Sequence, residues 1–66
     1  MDLGSWKVII DNATGEYSGK GLSTDFDTTL NTEEFKKNCT TGSTAYCIDT
    51  QEVYMFEATT QQWILQ

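Results

Sequence analysis

Three short runs of β-branched and aromatic residues, separated by two clusters of turn formers, occupy Ser43 to Leu65 and limit what this chain can become. Ser43 to Asp49 reads as one strand, Glu52 to Glu57 as the next and Gln62 to Leu65 as a third. Between them lie Thr50-Gln51, with Asp49 as an Asx acceptor beside it, and Ala58-Thr59-Thr60-Gln61. The pattern predicts a three-stranded antiparallel β-meander over about residues 43–65. A tight type I′ turn favours Asn-Gly or Asp-Gly, so at Thr50-Gln51 a four-residue type I loop fits better.

If the first hairpin closes around Thr50-Gln51, Ile48 lies opposite Val53 and Tyr46 opposite Met55 on one face. Cys47 then faces Tyr54, and Ala45 faces Phe56, on the other. Side chains alternate along a strand, so both faces of this hairpin are substantially apolar. Something must cover them. Either the N-terminal segment folds over one face as a small sandwich, or another subunit does, because an exposed apolar patch of that kind marks an interaction surface.

The N-terminal part is less regular. Leu3 to Ile10 reads as a strand with Trp6, Val8 and Ile10 on one face and Lys7 and Ile9 on the other. Asp11 to Gly15 is dense in turn formers, and Glu16-Tyr17-Ser18 can return as a weak second strand. From about residue 19 to residue 30 no clear period appears, and Gly19 and Gly21 argue for an irregular segment. A short helix then starts at Asn31 or Thr32. Thr32 suits the N-cap, Glu33 and Glu34 the positive end of the helix dipole, and Lys36 and Lys37 the negative end. Two turns of helix are not stable alone and must dock, with Leu30 and Phe35 as the docking side chains. The expected fold class is α+β, mostly β: an N-terminal strand or hairpin, one short helix and the C-terminal meander, in one domain over residues 1–66.

A chain of 66 residues buries only about 60% of its unfolded surface and is marginal without a disulfide, a metal or a partner. With no His and only Cys39 and Cys47, a four-ligand zinc site is out of reach. Residues Met1 to Ser5 have neither a basic nor an apolar stretch, so no signal peptide is expected. Reduced thiols are the expectation for a chain without one, with Cys47 packed as a small apolar side chain. A partner chain is left as the source of extra stability.

Ten acidic residues against four lysines give a net charge of −6, the wrong sign for nucleic acid or an anionic membrane surface. No apolar run approaches the roughly 18 residues of a spanning helix. Asp25, Asp27, Glu33 and Glu34 form the one local concentration of acids, which a DNA-mimicking inhibitor could use and a solvated loop explains more simply. The aromatics of the meander could stack bases, but no Lys or Arg follows Asn38 to hold phosphates, so core or interface roles fit better.

Catalytic chemistry finds little support. There is no His to activate Cys39, Cys47 or a serine, and a chain this small does not readily enclose a dry pocket around Asp25 and Asp27. Gly15 to Gly21 is one residue too short between its first two glycines for a phosphate-binding loop, and Gly21 stands where Ser or Thr must hold magnesium. Asp11 to Glu16 fails as a calcium loop because Ala13 and Gly15 occupy ligand positions. Asn12-Ala13-Thr14 and Asn38-Cys39-Thr40 match the glycosylation pattern, which in a chain without a secretory signal is read as chance. No enzyme activity, cofactor or metal is expected.

Gly42-Ser43-Thr44, the strand to Asp49-Thr50, a turn residue, Val53-Tyr54-Met55-Phe56 and then Trp63 resemble a segment that recurs in small bacteriophage and prophage proteins. These are products of the structural-gene region of phages of Gram-positive hosts, including head-fibre or decoration-type proteins. The resemblance covers about a third of the chain, and such relatives often carry Gly or Lys where Gln51 stands. It implies a non-enzymatic virion or virion-assembly protein, in the virion or the host cytoplasm, contacting other phage structural proteins or copies of itself. It implies that Tyr46, Ile48, Val53, Tyr54, Met55, Phe56 and Trp63 serve as hairpin core or subunit contact. The alternative is a small acidic phage-encoded inhibitor that occludes a host or defence protein.

Overall fold

A computed structural model describes residues 3–66. The fold is mostly β. Its strands are β1 (Lys7–Ile10), β2 (Tyr17–Gly21), β3 (Thr44–Cys47), β4 (Glu52–Glu57) and β5 (Gln62–Leu65). They form one sheet in the order of the sequence, antiparallel except that β2 and β3 run parallel. The parallel join requires a crossover, and residues 22–43 supply it with two short helices, α1 (Ser23–Phe26) and α2 (Glu33–Lys36).

The expected meander is therefore three-fifths of a larger mixed sheet, with β4 and β5 bounded as the sequence predicts. The N-terminal hairpin does not fold over the meander as a sandwich. It extends the same sheet through β2, and the crossover covers one face instead. A second helix, α1, stands in the stretch read as irregular, and β2 runs on to Gly21.

Glycine in that strand has a packing cause. A methyl group on Gly21 would meet the Trp6 ring at 2.6 Å and its Cα at 2.9 Å. Glycines inside strands often mark such a close approach. Trp6, 4% exposed, thus lies against the bare backbone of β2, and its Nε1 donates to the Leu22 carbonyl at 3.0 Å.

Neither helix would persist alone. Thr32 caps α2 as predicted, its hydroxyl accepting from the Phe35 N–H, and Phe35 and Leu30 are buried. Helix α1 has no cap from Leu22. Its first N–H is instead satisfied from the β3–β4 loop, where Asp49 accepts from the Ser23 N–H at 2.9 Å and the Ser23 hydroxyl at 2.6 Å. Asp25, inside α1, accepts from the Ser5 N–H at 3.0 Å.

The core lies between the crossover and one sheet face. Phe26, Leu30, Phe35 and Cys39 descend onto Ala45, Cys47 and Phe56. Phe26 stacks on Tyr54 with centroids 4.8 Å apart, and its centroid lies 5.8 Å from that of Trp63. Every buried side-chain nitrogen or oxygen among the described residues has a hydrogen-bond partner. Ser43, fully buried, accepts the Tyr17 N–H at 3.0 Å.

Both four-residue loops of the meander, 48–51 and 58–61, end on a glutamine in the left-handed region: Gln51 at φ 59° and Gln61 at φ 58°. The first loop fixes a register different from the one the sequence predicts. Tyr46 pairs with Val53, Ala45 with Tyr54 and Thr44 with Met55, two residues from the expected partners. A two-residue slip preserves the alternation, so each side chain keeps its predicted face.

Candidate interaction surface

The face of the sheet turned away from the crossover carries no layer of this chain among the described residues. Alternation puts Tyr46, Val53 and Met55 on it and turns Tyr54, Phe56 and Trp63 to the core. The residues expected to serve as hairpin core or subunit contact thus divide between the two faces. Ile48 lies past the end of β3, in the loop, and is exposed.

Cross-strand register arranges the open face in rows. The central row runs Ile9, Ser18, Thr44, Met55, Ile64 across all five strands. Its large members are open to solvent: Ile9 is 71% exposed, Met55 40% and Ile64 47%. Beside it, Lys7, Lys20, Tyr46 and Val53 form a second row. Lys7 and Lys20 are direct partners, an arrangement of like charges that costs stability. Toward the opposite end of the strands stand Glu16 and Glu57. Glu57 continues the alternation of Val53 and Met55, and the Glu16 carboxylate lies where a side chain at Gly42 would stand.

Sequence reasoning missed Ile64 and Lys20 as members of this surface. Ile64 was legible, since it alternates with Trp63. Lys20 was not, because the glycines on either side hid the strand that carries it.

The acids singled out earlier are on the other layer. Asp25 and Asp27 belong to α1 and its C-terminal flank, Glu33 and Glu34 to the first turn of α2. Asp27 accepts from the Asn31 amide at 2.9 Å. The Ser5 hydroxyl and N–H hold the Asp25 carboxyl below its ordinary value, and Ser23 does the same for Asp49. Cys39 and Cys47 are both free and buried, and burial pushes the Cys39 thiol up to about 11. Burial, with Asp49 and Glu52 nearby, raises the Cys47 thiol as well. A protonated thiol is a poorer nucleophile than a thiolate, so both shifts disfavour thiolate chemistry.

Among the described residues no pocket is formed, no group of three or more acidic or cysteine side chains could hold a metal ion, and no helix is long and apolar enough to cross a membrane. No protein-family model, curated protein or solved structure matches the chain.

Proposed function

We propose that this chain is a non-enzymatic protein that works by protein–protein contact through the open sheet face, as a virion or virion-assembly accessory of a bacteriophage. The observation that carries the contact reading is the uncovered row of Ile9, Met55 and Ile64, flanked by Tyr46 and Val53. Burying apolar surface yields about 25 cal/mol per Å², and a small domain has reason to bury such a face against a partner. The phage setting rests on the resemblance of Gly42 to Glu57 and Trp63.

Mass spectrometry of purified virions tests the setting, with the chain expected at a fixed ratio to a capsid or tail protein. Met55→Lys tests the surface: it should remove the chain from particles while leaving its circular dichroism unchanged. Absence from virions would sink the accessory role.

A second reading, an inhibitor occluding a host or defence protein, draws on Asp27, Glu33 and Glu34, which lie on the crossover layer. Lys37, exposed beside them, weakens that negative field. Specific capture of one nucleic-acid enzyme, lost in Glu33→Gln/Glu34→Gln, would favour it.

A further inference from the structure

The open face has a charge order that selects its partner. Lys7 and Lys20 stand at one end of the strands, Glu16 and Glu57 at the other, and the apolar row of Ile9, Met55 and Ile64 lies between. The central row is the natural position for a two-fold axis running across the strands. Rotation about it lays the row on its own copy, Ile9 over Ile9 and Met55 over Met55. The same rotation places each strand over its own copy with direction reversed. Lys20, two residues from the axis along β2, then lies over Glu16, two residues to the other side.

We infer that the face is occupied by a second copy of this chain, packed face to face about that axis with Lys20 of each copy over Glu16 of the other. The inference rests on the contact reading above and names its partner.

Three physical points support a second copy over an unrelated chain. A two-fold contact must be self-complementary, and a surface graded from cationic through apolar to anionic meets that condition when turned on itself. Facing sheets pack about 10 Å apart, a gap that a Lys and a Glu side chain reaching from opposite sides can bridge. The pairing also places a carboxylate over the Lys7–Lys20 repulsion that the lone chain bears.

The area is adequate too. A standard interface takes about 800 Å² from each partner, roughly a fifth of the 4243 Å² this chain exposes. Five strands at about 4.8 Å spacing make a sheet about 24 Å wide. Its strands, four to six residues at about 3.3 Å each, are shorter than that, so the contact takes in the loops at their ends as well, within overall extents of 27 × 25 × 21 Å. In this assembly the apolar row provides affinity, and the rim charges fix orientation.

Charge reversal followed by mixing tests this. Lys20→Glu alone sets a new carboxylate against Glu16 of the other copy, and Glu16→Lys alone sets lysine against lysine. In a pair made of one chain of each variant, both contacts set a carboxylate against an ammonium: the carboxylate introduced at position 20 of one chain faces the ammonium introduced at position 16 of the other, and the native Glu16 faces the native Lys20. Sedimentation equilibrium of the wild type at about 0.1 mM, well above a micromolar Kd, should give twice the 7.4 kDa of the chain. Each variant alone should associate at least about tenfold more weakly, and the equimolar mixture should recover the wild-type mass.

A wild type that stays at 7.4 kDa overturns the inference, as does either variant dimerising like the wild type, or a mixture that fails to recover. The variants lie at exposed or half-buried surface positions, and recovery on mixing shows that both are folded. Failure here is separable from failure of the contact reading. A monomeric wild type whose incorporation into particles still depends on Met55 would overturn the dimer and leave the surface in place.

Discussion

The indole Nε1 of Trp63, on the last strand, donates to the Leu30 carbonyl in the middle of the crossover at 2.9 Å, 33 residues away in sequence. Leu30 is 1% exposed, so the residue that carries this carbonyl is shut off from solvent. Trp63 therefore holds the far edge of the sheet to the layer above it, while its ring packs on Phe56 at 5.0 Å between centroids.

Trp63→Phe keeps an aromatic ring but removes that donor. Leaving a buried carbonyl unsatisfied costs about 1–3 kcal/mol, a large share of the roughly 3–10 kcal/mol that holds a domain of this size together. Urea denaturation should show the midpoint falling accordingly. A midpoint unchanged within error would mean that the bond contributes nothing net.

Gly21→Ala and Gly19→Ala should differ. A methyl group at position 21 would press on the Trp6 backbone as well as its ring, whereas at position 19 it meets only side-chain atoms at 3.2–3.4 Å. Overpacking typically costs about 1–3 kcal/mol, and only movable side chains can relieve it cheaply. Thermal melts are expected to rank wild type above Gly19→Ala and Gly19→Ala above Gly21→Ala. The reverse order would refute the close approach of Trp6.

Gln51→Gly should stabilise the protein. A left-handed non-glycine residue carries a cost of about 1–2 kcal/mol, partly offset by the greater freedom of glycine in the unfolded chain. The expected net gain is about 0.5–1 kcal/mol, or a few degrees in Tm for a domain of this length. A lower Tm would show that the glutamine side chain makes a compensating contact.

Acid should loosen the tie between α1 and the β3–β4 loop. The Asp49 carboxyl is held below its ordinary value, chiefly by the Ser23 hydroxyl and then by the Ser23 N–H. A depressed carboxyl lends stability above the unfolded value of about 3.9, and loses it as the pH falls through the lower folded value. Asp25, depressed through Ser5, acts in the same direction. Melts recorded from neutral pH downward should show the wild type above Asp49→Asn at pH 7, with the gap closing below about pH 4. A gap independent of pH would discount the carboxylate.

The parts of the fold that were legible from sequence are those whose causes are local. Val53 to Phe56 alternate within one strand, and the Thr32 cap accepts from an N–H only three residues away. Helix α1 escaped notice because its cap comes from Asp49, 26 residues further on. The second half of strand β2 escaped because Gly19 and Gly21, residues that ordinarily signal loops, are there to admit Trp6. The hairpin register depended on a left-handed Gln51 that no propensity favours. Half of the candidate surface, Tyr46, Val53 and Met55, could be placed on one face from alternation alone. Its openness could not, because that depends on which face the crossover covers.

The parallel join of β2 to β3 has a kinetic consequence. Its partners, Ser18 with Thr44 through Gly21 with Cys47, all stand 26 residues apart, whereas no antiparallel pair in the sheet spans more than 13. The N-terminal hairpin and the meander can each form quickly from neighbouring chain, but closing the seam between them orders the whole crossover at once. Contact order then predicts that the seam, where Gly19 meets Ala45, closes last and limits the folding rate.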